Sequence, residues 1–287
     1  MARFPVNRRK FLALAAAGVG VLGADAIFIA PNRLRVVRQD VALARWPLAL
    51  NGFTIALLSD FHYDPYFSVH PIRSCIDIAN RLNADLIALT GDFVSAPWFG
   101  PDRRGAEAAE PCADLLKQLR APHGVWAVLG NHDVNTDAQR VAGALHSVGI
   151  QVLGNRSVPM EQNGARFWLS GLDDVLGKTA DPSRALHNVP KDEAVVMMVH
   201  EPDYAEEVAR HPVDLQLSGH THGGQIRFPF LPPLYLPPMA KKYVWGLYQI
   251  GPLTLYTNAG IGTVEVPVRL NCPPEITLLT LRRSAAA

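Results

Sequence analysis

With 287 residues, 48% hydrophobic and 18% charged, the chain has the composition of a packed globular protein and not of a disordered or fibrous one. Lys+Arg number 27 against 26 Asp+Glu, a formal net charge of +1, so no global basic field draws the chain to nucleic acid, no specific nucleic-acid partner is expected, and any anion site must be local. The three cysteines, Cys75, Cys112 and Cys272, are too scattered for a zinc knuckle or a disulfide framework; buried thiols are expected, with one disulfide open to them outside the cytoplasm.

The first 26 residues differ from the rest. Arg8-Arg-Lys-Phe-Leu12 precedes the small-residue apolar run Ala13–Ala24, and Ala24-Asp-Ala26 offers an A-x-A cleavage site, the pattern of an export signal over residues 1–26. The twin arginines with Phe11 and Leu12 resemble the twin-arginine class. That resemblance implies export through the twin-arginine machinery to the periplasm or the extracytoplasmic face of the membrane. Phe11–Ala24 falls short of the ~20 apolar residues of a spanning helix, unless Ile27–Ala30 extends it. Residues 27–48, and Pro31–Leu48 in particular, read as a linker, and 49–283 as one domain.

From about Pro47 short apolar runs alternate with helical spacing. Strands are expected at Phe53–Leu58, Leu86–Leu89 and Val125–Leu129, with helices over Ile72–Leu82, around Ala113–Leu119 and around Ala138–Val148 between and after them. Strands follow at Arg166–Ser170, Val195–Val199 and Asp214–Leu217, with a helix near Tyr204–Arg210 whose start Glu201 and Asp203 are expected to cap. The closing runs Tyr243–Ile250, Leu253–Thr257 and Ile276–Leu281 are β-rich. The βαβ rhythm predicts an α/β fold.

Five of these strands end in ligand-type residues: Ser59-Asp-Phe-His62, Thr90-Gly-Asp92, Gly130-Asn-His-Asp133, His200-Glu-Pro202 and Ser218-Gly-His-Thr-His-Gly-Gly224. In open α/β sheets the carboxyl ends of strands form the rim where ligands bind, so distant residues can converge there. On extended backbone residues i and i+2 point the same way, which makes Asp60 with His62, and His220 with His222, two-pronged claws for a metal pair. Asp92 can bridge two ions with its two oxygens, and Asn131 and His200 can complete the shell of the second ion. Nitrogen and oxygen ligands without cysteine suit Mn, Fe, Zn or Co. Two divalent ions outweigh the two carboxylates, and the surplus positive charge favours a phosphate guest. With ions ~3.5–4 Å apart a bridging hydroxide becomes the nucleophile for in-line attack on a phosphate ester. His132, beside Asn131, is placed to protonate the leaving oxygen or stabilise its charge.

In order and spacing the set D-x-H, G-D, G-N-H-D, H and G-H-T-H resembles the calcineurin-like metallophosphoesterase superfamily from Phe53 to about Gly224. The tail Gly246-Leu-Tyr, Asn258-Ala-Gly-Ile-Gly262 and Cys272-Pro-Pro-Glu-Ile276 resembles exported bacterial members. The resemblance implies a β-sandwich flanked by helices, in four αββα layers. It also implies one ion held by Asp60, His62, Asp92 and His222, a second by Asp92, Asn131, His200 and His220, and His132 as the catalytic histidine. The Asp-Arg pair that protein phosphatases of the superfamily carry after G-D is missing here, which argues against a phosphoprotein substrate. It also removes the aspartate that orients the histidine, for which Asp133 is the nearest substitute.

Beyond the last motif, Ile226–Met239 is an apolar, proline-rich loop. It either folds back on its own core or, with Lys241 and Lys242, meets an acyl chain or membrane surface through residues 226–242. Three readings follow: a phosphoesterase acting on a small phosphate ester or phospholipid, a phosphodiesterase or pyrophosphatase acting on a lipid-linked substrate, and a metal-loaded binding module without turnover.

Overall fold

The computed structural model describes residues 8–96 and 103–284; residues 1–7 of the expected signal lie outside them. Helix α1 (Arg8–Ala24) continues through a π turn (Asp25–Ile29) and a 3-10 turn (Ala30–Asn32). Arg8–Asn32 is therefore one 25-residue helical run whose most apolar 18 residues have a mean hydropathy of 2.1, long and apolar enough to cross a membrane. The shorter length expected from Phe11–Ala24 alone is superseded, because the helix does not stop at Ala24.

Within the stretch read as a linker, Arg35–Leu43 forms β1, which pairs in parallel with the last strand, β12 (Glu275–Arg283). Its polar outer edge, with Arg35, Arg38 and Asp40 exposed or half-exposed, hides the strand from a hydrophobicity reading. Next come β2 (Phe53–Leu58), α2 (Val69–Leu82), β3 (Leu86–Leu89), α3 (Arg103–Ala106), α4 (Ala109–Leu116), β4 (Val125–Ala127), α5 (Asn131–Ser147) and β5 (Gln151–Val152). The first sheet runs β1-β12-β2-β3-β4-β5. The second half supplies β6 (Arg156–Gln162), β7 (Ala165–Gly171), α6 (Pro182–Ala185), β8 (Val195–Met198), α7 (Ala205–Val208), β9 (Leu215–Ser218), β10 (Gly246–Ile250) and β11 (Leu253–Thr257). Its sheet runs β10-β11-β9-β8-β7-β6. Two mixed sheets flanked by helices match the expected α/β sandwich. The sequence missed β6, whose half-polar pattern and Pro159 suit only an edge strand.

Side-chain alternation builds three cores from two sheets. On β2, Ile55 and Leu57 face the inter-sheet core with Phe167, Leu169, Val196 and Leu217, whereas Ala56 and Leu58 face outward against Ile72 and Ile76 of α2 and Leu116 of α4. On the far side Val195, Met197 and Leu255 pack under Ala205 and Val208 of α7. Central strands are buried on both faces, which is why they read as continuous apolar runs. The three cysteines are buried and free.

Candidate metal centre

The ligand-type residues sit just past the carboxyl ends of β2, β3, β8 and β9 and at the start of α5. Asp60, His62, Asp92, His200, His220 and His222 are all buried, and Asn131 and His132 are half-buried. The backbone does not continue as strand. Asp60 (φ 55°), His62 (42°), Asp92 (55°), His220 (68°) and His222 (50°) are left-handed. Each non-glycine residue in that region costs on the order of 1–3 kcal/mol, strain that persists only where the surroundings impose it.

Those surroundings are visible. The loop after β2 is laced to the loop after β3 by Asp60 N–H to Gly91 C=O (2.9 Å) and His62 N–H to Asp92 C=O (3.0 Å). Phe61 and Phe93, stacked with centroids 5.5 Å apart, drive the residues between the ligands into the core. On the other flank Ile261 and Gly262 donate to the carbonyls of Ser59 and Asp60. Gly219 is a close-approach position: a Cβ there would lie 1.8 Å from Ser59 Oγ and 2.4 Å from Asp60 Oδ2.

The extended backbone expected for the claws is therefore corrected. Asp60 and His62 still meet, but His220 and His222 fall into different clusters, one of Asp60, His62 and His222 and another of Asp92, His200 and His220. His222 Nε2 lies 3.0 Å from His62 Nε2 and 3.5 Å from Asp60 Oδ1. His220 Nδ1 lies 3.2 Å from His200 Nε2. Asp92 Oδ2 stands between the clusters, 3.1 Å from His200 Nε2 and 3.5 Å from His62 Nε2. Its other oxygen accepts the His132 N–H at 2.9 Å, so Oδ2 is the oxygen that faces both clusters.

Outer hydrogen bonds fix the imidazole tautomers. His200 Nδ1 donates to Thr90 C=O (2.6 Å), His220 Nε2 donates to Pro238 C=O (2.8 Å), and His62 Nδ1 meets Ser95 Oγ (2.9 Å). With those protons directed outward, His200 Nε2 and His220 Nδ1 turn toward each other and toward Asp92 Oδ2; against the lowering effect of burial Asp92 raises His200, so without an ion a proton stands on Nε2 where a cation would otherwise lie. The 3.2 Å separation is close to the ~3.0–3.4 Å between two nitrogens each ~2.0–2.1 Å from one ion. The buried Asn131 Oδ1 and His222 Nδ1 have no hydrogen-bond partner among the described residues. Burial holds the His62 pKa at about 3 and that of His220 at about 4, and it also lowers His222, so these rings are neutral donors at pH 7. Burial raises Asp60 to about 6, a cost a cation would remove. The residues fit a divalent metal centre.

His132 borders two hollows. One, of roughly 290 Å³, is walled by Leu176, Ile226, Leu234, Tyr235, Pro237 and Val264. The other opens toward Phe67, Ser95 and Val266. Ala96 N–H donates to His132 Nδ1 at 2.9 Å, which leaves Nε2–H as the donor of the neutral ring.

Asp133 does not orient His132. Its two oxygens accept the backbone N–H groups of Asp92, Phe93, Val94 and Gly130 at 2.8–3.1 Å, tying the β3 loop to the start of α5. Burial pushes its pKa up to about 7, yet all four facing groups are donors, so the ionised form is the one this geometry serves. Neither Glu201 nor Asp203 caps the next helix. Glu201 is buried toward Val175, and Asp203 accepts from the N–H groups of Lys241, Lys242 and Tyr243.

Sequence reasoning missed Arg269. Fully buried, it donates to the carbonyls of Ala259, Gly260, Gly262 and Cys272 and so braces the loop behind Asp60. A single arginine between Val268 and Leu270 in the tail gives no such signal. The remaining histidines, His70, His123, His146, His187 and His211, join neither cluster. Loop 226–239 is not folded back on the core: Phe230 is fully exposed, and Leu231, Leu234 and Tyr235 are exposed too.

The sequence pattern described as Calcineurin-like phosphoesterase matches residues 53–224, more than half of the chain. An uncharacterized metallophosphoesterase of Bacillus subtilis, YkuE, is 33% identical over 96% of this chain and 98% of its own. Phosphodiesterase YaeI of Escherichia coli is 32% identical over 96% of this chain and 99% of its own. A transmembrane protein with metallophosphoesterase domain from Danio rerio is 29% identical over 87% of this chain, which spans 58% of that protein's length. A strand-end cluster of buried imidazoles and carboxylates, arranged as a cation needs it and carried on that matched segment, places the chain in the calcineurin-like phosphoesterase family, as a metal-dependent phosphoester hydrolase.

Proposed function

We propose that the protein is an exported phosphodiesterase with two divalent ions, drawn from Mn, Fe, Zn or Co, acting on a diester with an apolar substituent. The observation that carries it is the doubled cluster: two facing nitrogen pairs, at 3.0 and 3.2 Å, on either side of Asp92 Oδ2. Asp60, His62, Asp92 and His222 would hold one ion, and Asp92, Asn131, His200 and His220 the other. When bound, the pair supplies Lewis acidity and an activated water for in-line displacement at phosphorus.

The chain's own residues set the rest. His132 offers Nε2–H to the departing oxygen, and because a backbone N–H occupies Nδ1 the ring has no site for a second proton while that bond holds. That polarity favours stabilising negative charge on the leaving oxygen by a hydrogen bond over full transfer of a proton. Among the described residues no Lys or Arg lines the hollow walled by Leu176, Ile226 and Leu234, whose charged members are Asp92 and Glu265 beside the histidines. A monoester, which carries about −1.5 to −2 at neutral pH, finds no side-chain cation there for its second charge, and a pyrophosphate finds none for its second phosphoryl group. A singly charged diester with an apolar arm suits the walls, and the 32% identical phosphodiesterase YaeI supports the same reading. A binding module without turnover has no use for a donor fixed beside the ions. Export rests on the twin-arginine pattern ahead of the apolar helix.

The test is turnover of bis(4-nitrophenyl) phosphate against 4-nitrophenyl phosphate with added Mn²⁺. The diester should be preferred, and His132→Ala should lose ~10²–10³ in kcat with metal content unchanged. Preference for the monoester would overturn the diester reading, and an undiminished His132→Ala would overturn the donor role.

A further inference from the structure

Large hydrophobic side chains that stand exposed among the described residues fall, with the exceptions of Val36, Leu48 and Leu247, into two groups: the helix Arg8–Asn32 and the surroundings of the metal site. Around the site, Leu234 and Tyr235 line one hollow, Phe67 lines the other, and Val266 borders both. Phe230 and Leu231 stand outward on the same proline-rich loop. An exposed apolar rim of this kind marks a surface that something covers.

The helix says what covers it. Ala26 C=O accepts the Arg269 N–H at 2.9 Å, and Ala26 and Pro31 are buried against the domain, so the helix is rooted on the loop that also carries Val266. Three residues of chain reach at most about 11 Å, which bounds the distance along that loop from the root to the rim. Ahead of Ala26 the described side chains of the run are exposed, apart from a half-buried Asp25, so it leaves the fold from that edge. A membrane that holds the helix therefore passes beside the mouth of the metal site. Of the two lysines that follow the loop, Lys242 is paired with Glu206 at 2.7 Å and Lys241 is exposed, so the rim's apolar side chains supply most of the contact.

We infer that the rim formed by Phe67, Phe230, Leu231, Leu234, Tyr235 and Val266 is seated in the headgroup and acyl boundary of the bilayer that holds Arg8–Asn32, so that the metal site opens on the membrane surface. The inference rests on that helix spanning a membrane. It makes the apolar arm of the diester a lipid chain that reaches the hollow without crossing bulk water.

The native cysteines are buried, so a thiol-reactive environment-sensitive fluorophore will report a single introduced cysteine. Full-length Phe230→Cys and Glu161→Cys chains, the second exposed at the hairpin on the opposite end of the sandwich, are labelled and reconstituted into phosphatidylcholine vesicles with a minor share of phosphatidylglycerol. The expected result is flotation of both chains with the vesicles. At position 230 emission should shift to shorter wavelength and be quenched by nitroxide lipids at the ~5–10 Å depth of an interfacial contact, with neither effect at 161. A chain that floats but whose probe at 230 stays as aqueous as the one at 161 overturns the seating while leaving the spanning helix intact. A chain that does not float overturns both. A shift at 230 without lipid quenching assigns the rim to a second copy of the chain and also overturns the inference. None of these readouts depends on turnover, so a failed phosphodiesterase assay remains a separate result.

Discussion

Asp133→Asn tests the construction of the site without touching a proposed ligand. Asp133 Oδ1 accepts from Phe93 (2.8 Å) and Val94 (3.1 Å), and Oδ2 accepts from Asp92 and Gly130, both at 2.9 Å. Asparagine has the same shape, but whichever way its amide turns, one oxygen becomes NH₂. Two backbone donors then lose their acceptor and face another donor. A hydrogen bond to a charged group contributes ~1.5–3 kcal/mol, so the loss of two comes to about 3–6 kcal/mol, at the high end for a single substitution. At ~2–4 °C per kcal/mol for a chain of this size, the melting temperature should fall by roughly 6–24 °C. Because either freed pair, Phe93 with Val94 or Asp92 with Gly130, lies in the loops carrying Asp92 and Asn131, metal affinity should also fall, by ~10–100-fold. Thermal unfolding of the metal-free protein and a Mn²⁺ titration read the two effects separately. A variant melting within ~2 °C of the parent would refute the reasoning, and would mean that Asp133 is already protonated in the native fold.

Asp92→Asn should lower the content of both ions together in elemental analysis, since one oxygen faces both clusters; loss of only one would remove the shared role. Gly219→Ala forces a Cβ into Ser59 Oγ and Asp60 Oδ2, and the repacking should cost ~1–3 kcal/mol in denaturant unfolding and weaken metal binding; an unchanged midpoint would show that the loop yields freely. In the metal-free protein His62, His220 and His222 stay neutral below pH 6.5 while the unfolded chain takes up protons, so each of them removes stability as pH falls from about 6.5 toward 4. Asp60, raised to about 6, Asp133, raised to about 7, and Glu201, also raised, act in the opposite direction, as does His200 near the top of that range, where unfolded histidine is only partly protonated. The histidines' share is read as a difference: on going from pH 6.5 to 4 the urea midpoint of His62→Gln should fall less, or rise more, than that of the parent, and parallel profiles would contradict a neutral His62.

What the sequence by itself determined is what depends on local chemistry. Apolar runs such as Phe53–Leu58 and Val195–Met198 specify doubly buried strands, and acids, imidazoles and glycines at their carboxyl ends specify a ligand rim, because type and spacing alone carry that information. The tertiary structure decided which side chains meet. His220 and His222, two residues apart, serve different clusters because each backbone is held in a left-handed turn by loops from elsewhere in the chain. Asp133 braces Asp92 from 41 positions away, Ala96 sets the tautomer of His132 from 36 positions away, and the edge strand Arg35–Leu43 found its partner at the far end of the chain. No local pattern encodes these pairings. They arise because closing the sandwich leaves backbone donors and acceptors that must be satisfied by whatever group the fold brings within reach.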